Sequence, residues 1–264
     1  MYDMKMKLNI IGKLMYLHEI VWNYTDWYKL LINRLLHNVT TILRMRNGIF
    51  ILGGNRSLIV DLASEIFIHE VYNPKEMKIN PGDLVIDIGA NIGVFGLYAS
   101  KNLASMVYEI EPLVENIPII KSNFEKNNFK NLKILNVAVS DKDGSDKLFT
   151  ADLDSHGLLF DHNVQGGLTK FKIVKTMTLE TIIKKNKINH INFLKMDCEG
   201  SEGNIFKSTK SKTWKMIDKV AIEYHDNVSV LNHQNIVSKL TSNGYKTRIV
   251  ENDNFFGYIY AWRN

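Results

Sequence analysis

The chain has 264 residues, 45% of them hydrophobic and 23% charged, with a net charge of +5 and one cysteine. That length can bury a substantial core, and the hydrophobic fraction excludes a chain too polar to collapse. One cysteine, Cys198, excludes an intramolecular disulfide, and with no Cys/His cluster at zinc spacing the composition implies a reducing, cytoplasmic setting.

The first elements are helical. Between residues 8 and 36 apolar side chains recur at three- and four-residue steps, as in Ile11, Leu14 and Met15 and again in Trp27, Leu30, Leu31 and Leu35. This spacing predicts two helices, broken near residues 23–26. Short β-like pieces at 48–52 and 57–60 follow, so residues 1–60 read as a helical and short-strand extension and 61–264 as the main domain. In residues 1–50, Lys5, Lys7, Lys13, Lys29, Arg34, Arg44 and Arg46 oppose Asp3, Glu19 and Asp26, which leaves four of the five net charges there. A local excess of this kind fits a solvated helix face first, with a peripheral membrane contact or an anionic acceptor as alternatives, and does not favour a nucleic-acid groove. His18, Glu19 and Asp26 interrupt the stretch, which is unlike a secretory signal, and no apolar run is long enough to span a bilayer. Met4, Met6, Met15, Trp22 and Trp27 are expected in core packing rather than in an acceptor pocket.

Beyond the turn residues Asn80-Pro81-Gly82-Asp83 the pattern becomes regular. Leu84–Ile88 is a short unbroken apolar run, as a strand buried on both faces of a parallel sheet requires. Met106–Ile110, residues 132–139, Ile191–Met196 and residues 219–224 are further strands, separated by helical patterns from residue 92 and over 114–127, 179–187, 203–210 and 228–243. Strands alternating with helices imply parallel pairing through right-handed crossovers. The chain closes with residues 246–250 and 255–262 around a polar turn too short for anything but an antiparallel pair. Between 140 and 177 the alternation lapses, and residues 147–150 and 171–175 are candidates for an extra hairpin.

The run Val85-Ile86-Asp87-Ile88-Gly89-Ala90-Asn91-Ile92-Gly93 carries a strand into a glycine turn and then a helix. Backbone N–H groups there, and the absent side chains at Gly89 and Gly93, are expected to let a ligand approach the strand end. A dinucleotide fingerprint needs Gly-x-Gly-x-x-Gly, but position 91 is Asn and the next glycines fall at 93 and 96. That spacing disfavours a nicotinamide dinucleotide and suits a ligand without phosphates, such as S-adenosylmethionine. Asp87 is expected to order the loop or to meet the ligand's ammonium group. Glu111 stands past the next strand, where a carboxylate can accept from both ribose hydroxyls. Glu109 competes with it, since alternation puts both on one side, and Pro112 marks Glu111 as the strand's end.

With further segments, these residues resemble the FkbM-type S-adenosylmethionine-dependent methyltransferases. The matching pieces are residues 82–93, Glu111-Pro112, Ala138-Val139-Ser140-Asp141 with Gly144, Met177-Thr178-Leu179-Glu180, Lys195-Met196-Asp197-Cys198-Glu199-Gly200-Ser201-Glu202 and Ala221-Ile222-Glu223-Tyr224-His225. The resemblance implies an α/β, doubly wound, mostly parallel seven-stranded Rossmann-like sheet ending in an antiparallel hairpin. It implies O-methylation of a hydroxyl on a sugar, glycan or natural-product acceptor. It also implies cofactor contacts at Asp87, Gly89, Ala90, Asn91, Gly93, Glu111 and Pro112, with Asn136 and Ala138 near the adenine.

Methyl transfer from a sulfonium to a hydroxyl needs three atoms in line, little water and a group to take the hydroxyl proton. Asp197, Glu199 and Glu202 follow one strand, and Glu223, His225 and Asp226 another, at the sheet edge where ligands bind. His225 is the first choice of general base, because imidazole titrates near neutrality, with Glu223 or Asp197 to orient it. Glu199 is assigned to catalysis, and Glu202 equally to catalysis or to capping a helix. A divalent ion on Asp197 with Glu223, His225 or Asp226 is the less favoured arrangement. His156 reads as an exposed loop residue. A nucleic-acid methyltransferase is the main alternative, although the chain lacks an Asn-Pro-Pro-Tyr strand-end motif. A non-catalytic adenosyl-ligand binder is the other, disfavoured by Asp197, Glu199 and His225 beside the glycine turn.

Overall fold

The computed structural model of the chain describes residues 10–54, 59–150, 157–158 and 171–263. Two helices, α1 (Ile10–Asn23) and α2 (Trp27–Leu35), precede an antiparallel pair, β1 (Ile42–Arg44) and β2 (Phe50–Leu52), and helix α3 (Ile59–Phe67). The break between α1 and α2 falls where the periodicity placed it. The strand expected at 57–60 is not found: residues 59 and 60 open α3, which buries Ile59, Ala63 and Ile66 at helical spacing, and 57–58 lie outside the described residues.

The main sheet is assembled from β3 (Leu84–Ile88), α4 (Val94–Lys101), β4 (Met106–Ile110), α5 (Asn116–Lys126) and β5 (Leu132–Leu135). An excursion follows through β6 (Ala138–Val139), β7 (Gly144–Thr150), β8 (Gly157–Leu158) and β9 (Phe171–Met177). The chain returns through α6 (Leu179–Lys185), β10 (Ile191–Met196), α7 (Glu202–Ser208), α8 (Ser211–Trp214), β11 (Ile217–His225), α9 (His233–Ser242), β12 (Lys246–Glu251) and β13 (Phe256–Trp262). The seven strands lie in the order β12-β13-β11-β10-β3-β4-β5. β11, β10, β3, β4 and β5 are parallel, and β13 runs antiparallel to both β11 and β12. The expected strand at 132–139 is two strands. β6 leaves the main sheet for a small one of order β6-β9-β7-β8, in which β7 and β9 form the expected hairpin pairing.

Alternation along each central strand feeds two apolar layers. Val85, Val107 and Phe193 pack on one face with α4, α3 and the N-terminal residues Ile20, Tyr24, Leu43 and Ile51. Ile86, Tyr108, Leu194 and Val220 pack on the other with Ile182 of α6, Phe206 of α7 and Ile236 of α9. β2 is tied to α5 by two asparagines one helical turn apart, which copy a strand's pairing: Asn123 and Asn127 each accept from and donate to the backbone of Leu52 and Phe50 respectively. Among the described residues no helix is long and apolar enough to cross a membrane.

From central β3 the chain winds outward through β4 and β5, then crosses back to β10 on the opposite side. The carboxyl ends of β3 and β10 therefore form the switch point at which open α/β sheets bind ligands.

Candidate active site

At that switch point lies a cleft of about 870 Å³ counting its open mouth. Gly89, Asn91, Glu111, Pro112 and Ala138 form one side of its lining, and Asp197, Cys198, Glu199 and Glu223 the other. Glu65 of α3 also reaches it. The structure thus brings eight of the thirteen residues expected at the site to one cleft.

The other five stand elsewhere, each for a physical reason. Asp87 is fully buried beneath the floor, 3.0 Å from Lys195 Nζ, and so holds the lysine rather than a ligand's ammonium. Ala90 is buried and its N–H, like that of Gly89, donates to the Ile110 carbonyl. Gly93, in the left-handed region at φ +81°, faces Ile120 and Glu109. Asn136 is exposed and ties the Glu111-Pro112 carbonyls from outside. His225 lies behind Glu223 among three carboxylates.

The glycines also serve the protein's own packing, and Gly89 does so while lining the cleft. A Cβ on Gly89 would stand 1.7 Å from the Asp197 carbonyl oxygen, so only glycine lets the ends of β3 and β10 meet there. A Cβ on Gly96 would stand 1.7 Å from Glu109 Oε1, which is why that carboxyl can be buried. Lys195, Asp87 and Glu109 occupy matching positions on three adjacent strands and form a buried polar row across the sheet. Burial and the neighbouring Asp87 push the Glu109 carboxyl well above the usual range, so it stays protonated. Burial disfavours the Lys195 ammonium, but Asp87 and Asp197 outweigh it and the amine stays charged. The same ammonium donates to the Gly89 carbonyl, which pins the glycine turn from below.

Glu111 is separated from Glu109 because β4 ends at Ile110 and the next residue turns into the cleft. Its carboxylate is oriented by Asn91 N at 2.8 Å, Leu113 N at 2.9 Å and Asn116 Nδ2 at 3.0 Å. Asn91 takes the left-handed conformation, φ +55°, that asparagine tolerates, and this aims its N–H at Glu111. On the opposite lip Glu199 also has positive φ, +52°, a strained backbone for a glutamate and of the kind that collects at functional sites.

The acidic side is one network. The Tyr72 hydroxyl lies 2.5 Å from Glu223 Oε2 and 3.2 Å from Asp197 Oδ2. Burial, then the charge of Asp197, pushes the Glu223 carboxyl up to about 7. His225 Nε2 is 3.5 Å from Glu199 and 3.6 Å from Glu223, and its Nδ1 is 3.4 Å from Glu202. Burial opposes the imidazolium, but the nearby Glu202, Glu223 and Glu199 carboxylates outweigh it and raise it well above its ordinary range. The carboxylates around His225 therefore favour its protonated form, and it is Glu223 rather than His225, the base expected from the sequence, that lines the cleft. Glu202, fully buried, accepts from the Cys198 N–H at the start of α7. Asp226 turns away and pairs with His233. His156, Met4 and Met6 lie outside the described residues.

Asp197, Glu223 and His225 offer ligand atoms within 4.8 Å of one another. A metal-bound imidazole must be neutral. An ion on this trio would have to displace the proton that the surrounding carboxylates favour on His225.

Tyr72, Glu65, Tyr258 and Lys195 complete the site. Tyr258 lies opposite Glu223 in the β11–β13 register and donates to Glu65 at 2.7 Å. Lys195 carried a signal, as the first residue of the Lys-x-Asp-x-Glu-Gly run. Tyr72 and Glu65 carried none, lying upstream of any motif.

The cleft suits an adenosyl ligand. Asn91 Oδ1 and Ser201 Oγ are buried without a hydrogen-bond partner, and both residues line it. Such atoms call for polar ligand groups. Ile110, Val137 and Ala138 supply an apolar wall for a flat base. The doubly wound sheet with a cleft at its switch point is that of an α/β ligand-binding enzyme, and the family match makes it an S-adenosylmethionine-dependent methyltransferase. Residues 87–247, more than half of the chain, match the profile described as Methyltransferase FkbM domain, and the chain belongs to that family. It is 26% identical over 249 residues to 31-O-demethyl-FK506 methyltransferase FkbM of Streptomyces tacrolimicus, covering 84% of this chain and 94% of that protein. It is 23% identical to Methyltransferase 1 of Beauveria bassiana, over 61% of this chain and 72% of that one. A solved SAM dependent methyltransferase from Aquifex aeolicus aligns with a TM-score of 0.42 at 17% identity, over 78% of this chain and 96% of that one.

Proposed function

We propose that the protein moves the methyl group of S-adenosylmethionine onto a hydroxyl oxygen of a sugar, glycan or natural-product acceptor, with Glu223 taking the hydroxyl proton. One observation carries this reading: Glu223, a carboxyl that burial and Asp197 push up to about 7, lines the same cleft as Asn91 and Glu111. A base poised near the working pH is what removal of a hydroxyl proton during transfer needs.

When bound, S-adenosylmethionine supplies an electrophilic methyl on a sulfonium. Glu111, oriented by three protein donors, lines the cleft where its carboxylate would meet the ribose. Asn91 Oδ1 and Ser201 Oγ are available to the polar groups of the amino-acid tail. On the acidic side, Glu223 would take the acceptor's O–H proton while that oxygen displaced the neutral thioether from the methyl carbon of a bound S-adenosylmethionine. The Tyr72 hydroxyl, donating to one oxygen of Glu223, and the His225 ring, 3.6 Å from the other, hold its ionised form in place. The name of the Streptomyces relative, a 31-O-demethyl-FK506 methyltransferase, supports an oxygen acceptor. Cys198 as the one cysteine supports a cytoplasmic setting.

The test is incubation with methyl-labelled S-adenosylmethionine and a cell extract, followed by mass identification of the labelled product. A labelled glycan or small hydroxylated compound is expected. Label in protein or RNA overturns the acceptor assignment.

A further inference from the structure

Surface helices normally turn their polar face outward. α1 and α2 bury apolar residues, Ile20 and Leu30 among them, but also carry apolar side chains on the outside. In α1 the positions Leu14, Leu17, His18, Val21 and Trp22 follow the i, i+3, i+4, i+7, i+8 pattern of one helix face, and the face points to solvent, with Trp22 66% exposed. Ile20 and Tyr24 point the other way, into the core. In α2 the exposed stripe is Tyr28, Ile32 and Leu35, the last 78% exposed, and Leu36, Val39 and Ile42 extend it along the chain. Ten of the sixteen exposed large apolar side chains among the described residues fall between Leu14 and Ile42. Met15 and Trp22, expected in the core, belong to this outer surface.

Cations accompany the stripe. Lys13 adjoins Leu14, Lys29 adjoins Tyr28, and Arg44 shares the outer side of β1 with Ile42. Lys29 and Arg44 share a single acid, Asp26, and Glu19 faces His69, so with Lys13 and Arg34 the segment keeps a positive excess.

We propose that this face docks on the surface of an anionic lipid bilayer, with the leucines and Trp22 in the headgroup and outer acyl region and the cations at the phosphates. Apolar stripes flanked by Lys and Arg, with Trp and Tyr among them, are the chemistry of helices that lie in a membrane interface. A second copy across a two-fold axis fits less well, because it would set Lys13, Lys29 and Arg44 against the same charges. Nucleic acid fits less well still, since a phosphate backbone leaves the leucines without a partner. α1 is fastened to α3 by Tyr24 and Ser64, 3.0 Å apart, and by Glu19 and His69. The opposite side of α3 supplies Leu62 and Glu65 to the cleft, so docking sets the active site one helix away from the lipid.

The test is cosedimentation of the full chain with vesicles of equal parts phosphatidylglycerol and phosphatidylcholine, against phosphatidylcholine alone. Strong binding to the anionic vesicles is expected, weakened by high salt. Each cation removed, as in Lys13→Ala or Lys29→Ala, should lower the partition about fivefold. Leu14→Ser with Leu17→Ser and Trp22→Ser should lower it at least about tenfold, with the thermal midpoint unchanged because these side chains are exposed. Trp22 emission should shift to the blue on vesicle addition, and the conservative Trp22→Phe should lose that component while still binding. Equal pelleting with both vesicle types, no pelleting with either, or lipid-free dimerisation abolished by the serine variant would each overturn the proposal.

Discussion

Replacing Glu223 by glutamine separates the proposed base from a structural residue, because the two roles move stability and turnover in opposite directions. In the folded protein burial and Asp197 raise this carboxyl from 4.5 to about 7. Between those values the native state holds the proton more tightly than the unfolded chain does, so Glu223 costs the native state stability as pH rises through the window. At about 1.4 kcal/mol per tenfold change, the full cost above pH 7 is roughly 3 kcal/mol. Glutamine carries no charge to desolvate and can still meet Tyr72. Urea unfolding of wild type and Glu223→Gln, followed by circular dichroism from pH 4.5 to 8, should therefore diverge with pH, the variant becoming more stable by up to about 3 kcal/mol. Methyl incorporation should meanwhile fall by about 10²- to 10³-fold, and its acidic limb near pH 7 should vanish. A variant that is destabilised at pH 8, or that keeps the wild-type pH profile of turnover, would refute the assignment.

His225, held protonated by Glu202, Glu223 and Glu199, should show no imidazole titration step near 6.5 in proton NMR. Its stabilising pairing is complete below that pH and lost only as pH passes its raised folded value. Gly89→Ala, which forces a Cβ against the Asp197 carbonyl at φ +80°, should cost on the order of 3 kcal/mol in urea unfolding. Lys195→Met leaves Asp87 buried without its partner and should cost roughly 3–5 kcal/mol, with much of the loss recovered when Asp87→Asn is added.

The central strands were legible because they are buried on both faces, and unbroken apolar runs such as Leu84–Ile88 and Ile191–Met196 leave little choice of boundary. The change of sheet between Leu135 and Ala138 was not, since periodicity reports which residues face inward but not which sheet they join. The same limit hid the N-terminal surface: helical spacing groups Leu14 with Leu17, Val21 and Trp22 but does not say whether that face meets the core or the solvent. Within the site, Glu111 and Asp197 stand at ends of apolar runs, which placed them near the cleft. The glycines announced a close approach, but only the fold shows that the approaching atoms are the Asp197 carbonyl and the Glu109 carboxyl. The charge state of His225 depends on carboxylates from two elements converging on one ring, and Tyr72 reaches Glu223 across 151 residues. Neither leaves a trace in local sequence.

Isothermal titration of the folded chain with S-adenosylmethionine, S-adenosylhomocysteine and a nicotinamide dinucleotide tests the adenosyl site most directly. Both sulfur compounds should release or absorb heat with one-to-one stoichiometry, Glu111→Ala should weaken both, and the dinucleotide should give none. Tight dinucleotide binding with silence from both sulfur compounds would contradict the account.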